Sequence, residues 1–132
     1  MTDPDTMANL MPFAATLGIV TLANGREETR ARLEWEERLC TTNGVLHGGV
    51  IMALADTTGA MCAFNNLPPG ASGTTTIESK TNFLRAARSG HIEAVSRPLH
   101  AGRTVVVVET DVFDSEGKRV ARVTQTQAVL GG

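Results

Sequence analysis

Positive charge is not in excess in this chain. The formal net charge is -2, so there is no global positive field to suggest nucleic acid as a partner. No apolar run approaches the roughly 20 residues of a membrane span, and no membrane partner is expected. Residues Met1 to Asn9 carry two aspartates and no basic region, which predicts that they are not a secretory signal. Cysteine is scarce: Cys40 and Cys62 lack CxxC spacing. Without export, the expectation is two reduced thiols in a cytoplasmic protein. Three histidines and two scattered cysteines form no ligand cluster, so no zinc site and no other metal is predicted. Aromatics are 4% of the residues and tyrosine is absent, a shortage that bears on substrate below.

What is present fits an ordinary globular chain. Its 132 residues, 42% hydrophobic and 20% charged, predict one domain spanning residues 1–132, large enough to bury a core. The first dozen residues can form a short helix with Leu10, Met11 and Phe13 on its apolar side. "GIVTLANGREETRARLEWEE" reads as a hairpin turning at Asn24-Gly25. In its second arm Ala31, Leu33 and Trp35 alternate with Arg30, Arg32, Glu34 and Glu36, the pattern of a strand with one wet face. After a long apolar segment and the breaker "NNLPPGASG" come strands over Thr74 to Leu84, Ile92 to Leu99, Thr104 to Phe113 and Lys118 to Leu130. The last two are joined by the turn "DSEG". Short connections predict an antiparallel meander.

The segment between hairpin and strands, "NGVLHGGVIMALADTTGAMCAF", carries the chemistry. A helix is predicted from about His47 to Phe64. Val50, Ile51, Met52, Leu54, Met61 and Phe64 make it apolar almost all round, and a helix without a polar face must be enclosed. Yet Asp56 lies in its middle. An unpaired carboxylate in such a place is costly. Capping does not explain it, because the helix continues beyond. A buried salt bridge, an exposed position, and a general base or nucleophile made reactive by partial burial remain open. Gly48 and Gly49 allow close approach to backbone N–H groups in the first turn, where helical donors lack partners. Such donors can polarise a carbonyl; alternatively the glycines serve packing alone. His47 can anchor this loop or donate a proton. Gly48 and Asp56 are eight residues apart, about 12 Å along a helix. One carbonyl can touch both only if a second copy supplies the glycine, which predicts a symmetric dimer.

"GVLHGGVIMALADTTGAM" resembles the HGG-x6-(D/E) segment of the hotdog-fold acyl-CoA thioesterases. The nearest branch is that of the phenylacetate-degradation and hydroxybenzoyl-CoA thioesterases. The later "NFLRAA", and "GRT" followed by a valine-rich strand, are similar to that branch too, so the resemblance covers nearly the whole chain. It implies an α+β hotdog fold, a curled antiparallel sheet wrapped around one central apolar helix, in dimers often paired into tetramers. It implies an acyl-CoA substrate and no separate cofactor. By the same resemblance Asp56 takes the place of the catalytic carboxylate, and Gly48 that of the N–H donor from the opposite subunit. His47 steadies the loop or the thioester, and Thr76 matches a hydroxyl that helps position water. Gly49, Asn82, Phe83, Arg85, Arg103 and Thr104 fall in segments that meet substrate or CoA. One position departs from the family. Many members carry Asn or Gln six residues before the histidine; here Thr41 stands there and Asn43 only four before. Thr41 in a reduced role, Asn43 from a shifted loop, and a weak enzyme are the alternatives.

The other candidates rank lower. Met7, Met11, Met52 and Met61 read as core or tunnel lining. Cys62 reads as buried and inert, and Cys40 as a nucleophile only if a base approaches it. His91 and His100 read as solvated. The same fold hosts hydratases, but neither of their histidine–carboxylate signatures is present. It also hosts non-enzymatic acyl-CoA sensors, which usually lack the carboxylate. The acyl pocket is expected near Ala60, Met61 and Phe64. A phenolic group would need a polar partner there, and only Thr57, Thr58, Asn65 and Asn66 offer one. A medium-chain or phenylacetyl-like acyl group is favoured over hydroxybenzoyl.

Overall fold

The computed structural model describes residues 10–131; Met7 lies outside them. Helix α1 (Pro12–Leu17) begins at Pro12, whose missing N–H is not needed in a first turn. That start turns Ala14 and Leu17 inward. Leu10 and Phe13, expected on the apolar side, are exposed, and only Met11 packs on the core. Strands β1 (Val20–Asn24) and β2 (Thr29–Glu34) form the hairpin. Its loop is the four residues from Gly25 to Glu28, not a two-residue Asn24-Gly25 turn. Asn24 stays extended because its side chain is engaged elsewhere: Oδ1 accepts from Asn65 Nδ2 at 2.5 Å. In β2, Ala31 and Leu33 are buried and Arg30 and Glu34 exposed, as the alternation indicates.

Helix α2 (Gly48–Phe64) and strands β3 (Gly73–Phe83), β4 (His91–Ala101), β5 (Val105–Asp114) and β6 (Arg119–Leu130) follow. Six antiparallel strands form one sheet in the order β1-β2-β4-β5-β6-β3. Strands β4 to β6 meander as expected. In the β5–β6 turn, Asp114 Oδ1 accepts from the N–H groups of Glu116 and Lys118, both at 2.9 Å. The Lys118 N–H contributes most to holding this carboxyl below its ordinary range; Arg85 and Lys118 charges add to it. Strand β3 does not join the meander but pairs with β6 at the far edge. Residues 84–90 make this possible. Seven extended residues reach more than about 20 Å, and three strand spacings are about 14 Å. In β3 the pairing skips one residue, Ile77, between Thr76 and Glu78.

The sheet curls around α2. Leu33, Ile92, Val112 and Val123 pack with Ile51 and Leu54 of the helix. Val106 and Val108 pack with Cys62 and Ala63 nearer its end. The enclosure expected of an apolar helix is only half present in one chain. Ile51, Leu54, Ala55, Thr58 and Cys62 are buried, whereas Gly49, Met52, Asp56 and Phe64 form an outward stripe. The sheet ends beside that stripe at β3, whose residues 75–80 are themselves exposed. Among the described residues, no helix is long and apolar enough to cross a membrane.

Candidate active site

The start of α2 is built by His47. It is the N-cap residue in extended backbone, and its Nδ1 accepts from the Gly49 N–H at 2.8 Å. The His47 carbonyl takes the N–H groups of Val50 (2.9 Å) and Ile51 (3.3 Å). The His47 N–H goes to the Leu39 carbonyl at 3.0 Å, so of the four donors from His47 to Val50 that a helix start leaves without helical partners, three are used. The Gly48 N–H is the one left without a partner among the described residues, at the positive end of the helix dipole. His47 thus acts as the loop anchor, and by taking the Gly49 donor it singles out Gly48. The ring of Phe83 covers Gly48 closely, its Cζ lying 3.1 Å from where a Cβ would stand. Thr41, Val45, Gly48, Ile51, Phe83 and Arg85 line a cleft of about 380 Å³ at this end. Asn43 sits in the loop at φ +61°, exposed.

Asp56 lies two turns further along. Its carboxylate is exposed in one chain, so the expected partial burial is not met there: the α2 stripe it belongs to is open. No cation lies within salt-bridge distance of it among the described residues, which removes the buried ion pair. Its setting is one of hydrogen bonds. Gln125 Nε2 donates to Asp56 Oδ1 at 2.5 Å, and Thr76 Oγ1 stands 3.5 Å from the same oxygen. Gln127 Nε2 donates to Thr76 Oγ1 at 2.7 Å. Thr76, which the resemblance matches to a water-positioning hydroxyl, stands beside Asp56; the two glutamines are not among the residues expected from the sequence. The signal was in the β6 sequence "ARVTQTQ", where Gln125 and Gln127 keep the phase of Ala121 and Val123 rather than that of Arg122.

Ala60, Met61 and Phe64 come together as expected, with Leu10, Met11, Gly73 and Thr74, around an apolar cleft of about 310 Å³. Met61 is buried there, its sulfur 3.9 Å from Thr21 Oγ1. The four residues Asn82, Phe83, Arg103 and Thr104, together with Arg85, are not brought together. Phe83 pairs with Ala121 and Val105 with Ala128, seven residues along β6 or about 24 Å. Phe83 and Arg85 therefore lie at the Gly48 end, and Arg103 and Thr104 at the opposite end of the sheet. Asn82 pairs with outward-facing Arg122 and points away from α2. Arg85 is in an ion pair with Asp114 at 3.4 Å. Cys62 is buried, and burial pushes its thiol up to about 11 against a hydrogen bond from Thr29. Cys40 packs against the core and its Sγ hydrogen-bonds to the Glu36 carbonyl at 3.5 Å. Met52, expected as lining or core, is 41% exposed.

A free backbone donor, a held carboxylate and an apolar cleft along one helix are the parts an acyl-transfer site needs. The family model described as thioesterase superfamily matches residues 43–121. The chain belongs to the thioesterase superfamily. The proofreading thioesterase EntH of Cronobacter sakazakii is 32% identical over 115 residues, 87% of this chain and 83% of that protein. The structure of thioesterase HI1161 from Haemophilus influenzae superposes with a TM-score of 0.91 at 28% identity, covering 99% of this chain and 92% of that one. A mutant of thioesterase PA1618 from Pseudomonas aeruginosa gives 0.92 at 28% identity, covering 100% and 96%. The curled sheet around one helix is thus the hotdog thioesterase fold. Thioester hydrolysis is the general reaction that this membership and these names support.

Proposed function

We propose that this thioesterase-superfamily member hydrolyses an acyl-CoA thioester to the free acid and CoA. Asp56 acts as general base or nucleophile, and the Gly48 N–H polarises the carbonyl across a dimer interface. The observation that carries this reading is the open stripe of α2, where a carboxylate held at one oxygen lies about one turn before the apolar cleft. About 12 Å separates Gly48 from Asp56 in one chain, whereas reacting groups need about 3 to 3.5 Å. A second copy placing its own helix start against Asp56 closes that gap. The surface for it is available: β3 is an edge strand, and Met52, Phe64, Ile77 and Phe83 are exposed around it. Edges of that kind are normally covered. Phe83 and Arg85 at the Gly48 end would face the CoA arm. Arg103 and Thr104, at the opposite end of the sheet, could join them only from another copy.

In the base route, the water oxygen bonds to the carbonyl carbon while Asp56 takes its proton. The C–S bond then breaks and the CoA sulfur leaves with that proton. In the nucleophile route, Asp56 bonds to the carbonyl carbon and the CoA thiolate departs, taking a proton from solvent. Water then cleaves the acyl–Asp56 anhydride. Single-turnover hydrolysis in ¹⁸O-water labels Asp56 only in the second route, where water adds to the aspartyl carbon of the anhydride. Losing such a group costs about 10² to 10⁴ in rate, so Asp56→Asn should remove most turnover and leave the fold intact. Wild-type kcat in that variant would refute the assignment. The cleft offers Thr74 as its one hydroxyl among methionine, leucine, phenylalanine and alanine, which favours medium-chain or phenylacetyl groups over hydroxybenzoyl. Specificity constants for hexanoyl-, decanoyl-, phenylacetyl- and hydroxybenzoyl-CoA test the order.

A further inference from the structure

We infer that Gln125 is the positioning residue for Asp56: its buried amide grips Oδ1, fixes the carboxylate rotamer and leaves Oδ2 as the oxygen that reacts. The inference rests on the reading of Asp56 given above. Gln125 is fully buried on the inward face of β6, in the phase of Ala121, Val123 and Gln127. Only its Nε2 can donate to a carboxylate, so the 2.5 Å contact fixes which way the amide points. Its Oε1 is then left buried with no partner. An apolar residue of similar size would avoid that cost, so stability alone does not account for a glutamine here.

The helix makes room for it. Gly59, one turn beyond Asp56, has no side chain, and a Cβ there would lie 2.1 Å from Gln125 Oε1. Thr76 also faces Oδ1, at 3.5 Å, and is itself held by Gln127. Two neighbours thus converge on one oxygen, and Oδ2 has no partner among the described residues. Asp56 stands on an open stripe, where its side chain would otherwise sample several rotamers. Placement errors of about 1 Å cost on the order of 10²-fold in rate. Gln125 touches no substrate and acts through Asp56 alone.

The test follows release of thiol from phenylacetyl-CoA and decanoyl-CoA by wild type, Gln125→Met, Asp56→Asn and the double variant. Gln125→Met should lower kcat by roughly 10- to 100-fold, keep KM within about threefold, and not lower the thermal midpoint. In the Asp56→Asn background the same change should alter the residual rate by less than about twofold, because the group it serves is gone. Gly59→Ala, which displaces the amide from behind, should reproduce the kcat loss and covers the case in which Gln125→Met folds poorly. An inactive Asp56→Asn beside a fully active Gln125→Met overturns the positioning role while leaving the function standing. An equal loss in both backgrounds also overturns it. A fully active Asp56→Asn removes the functional reading itself.

Discussion

The two sides of α2 carry similar residues in different surroundings. On the closed side Ile51, Leu54, Ala55 and Cys62 meet the concave sheet and are buried. On the open side Met52 and Phe64, hardly more polar, are 41% and 52% exposed beside Asp56. Residue type therefore did not decide which side the chain itself covers; the extent of its sheet did. A hydrophobic stripe that its own fold leaves open is a surface made for something else. Here the carboxylate sits within it.

The comparison breaks most visibly on truncation. Leu54→Ala, on the closed side, should cost about 2 to 5 kcal/mol in urea unfolding. Met52→Ala should stay within about 0.5 kcal/mol when measured on dilute, dissociated chains. Equal losses would mean that the two sides are not distinct. A smaller effect sharpens the contrast: Met52→Glu should weaken self-association at least about tenfold, or ~1.4 kcal/mol, in sedimentation. Its circular dichroism should match wild type. A wild-type chain that sediments as an active monomer would contradict the shared site.

Acid should act away from the helix. Because the folded Asp114 carboxyl titrates below its unfolded range, it contributes stability above about pH 4, and this is lost as pH falls through the folded value. The thermal midpoint of Asp114→Asn should therefore fall less than that of wild type on acidification. A parallel fall would assign the acid sensitivity to other groups. The smallest effect concerns the closed side's thiol. Cys62 is raised to about 11, so its neutral form supports the fold and that support fades only as pH climbs from the ordinary thiol range toward that value. Iodoacetamide at pH 8 should label half-buried Cys40 and reach Cys62 only after unfolding, as read by peptide mass.

Much of this was legible beforehand. The apolar run after the HGG segment announced the helix, and the threonine- and valine-rich runs gave the strands within a residue or two. Three features were not legible, each for a physical reason. Pairing is a spatial relation, so the sequence could not show that β3 skips β4 and lies against β6. An all-apolar helix reads as enclosed whether its own chain or another encloses it, which hid the open stripe. Gln125 is hidden because threonine and glutamine alternate in "VTQTQ". Only the phase running on from Ala121 and Val123 tells that the glutamines face inward.

The skipped residue in β3 has a consequence of parity. Side chains along a strand alternate between its two faces, and directly opposed residues share a face. Thr76 opposes inward Gln127, and Phe83 opposes inward Ala121. They are seven positions apart, an odd number, and an uninterrupted strand would turn them to opposite sides of the sheet. Ile77 drops out of the pairing, so the count between them becomes even. One strand can then supply both a hydroxyl beside Asp56 and a ring over Gly48. Deleting Ile77 would leave them six positions apart and keep both on one face, whereas deleting a paired residue such as Ser79 would send one of them to the wrong face. A chain shortened at Ser79 should keep its fold and lose either the hydroxyl beside Asp56 or the ring over Gly48, whereas one shortened at Ile77 should keep both.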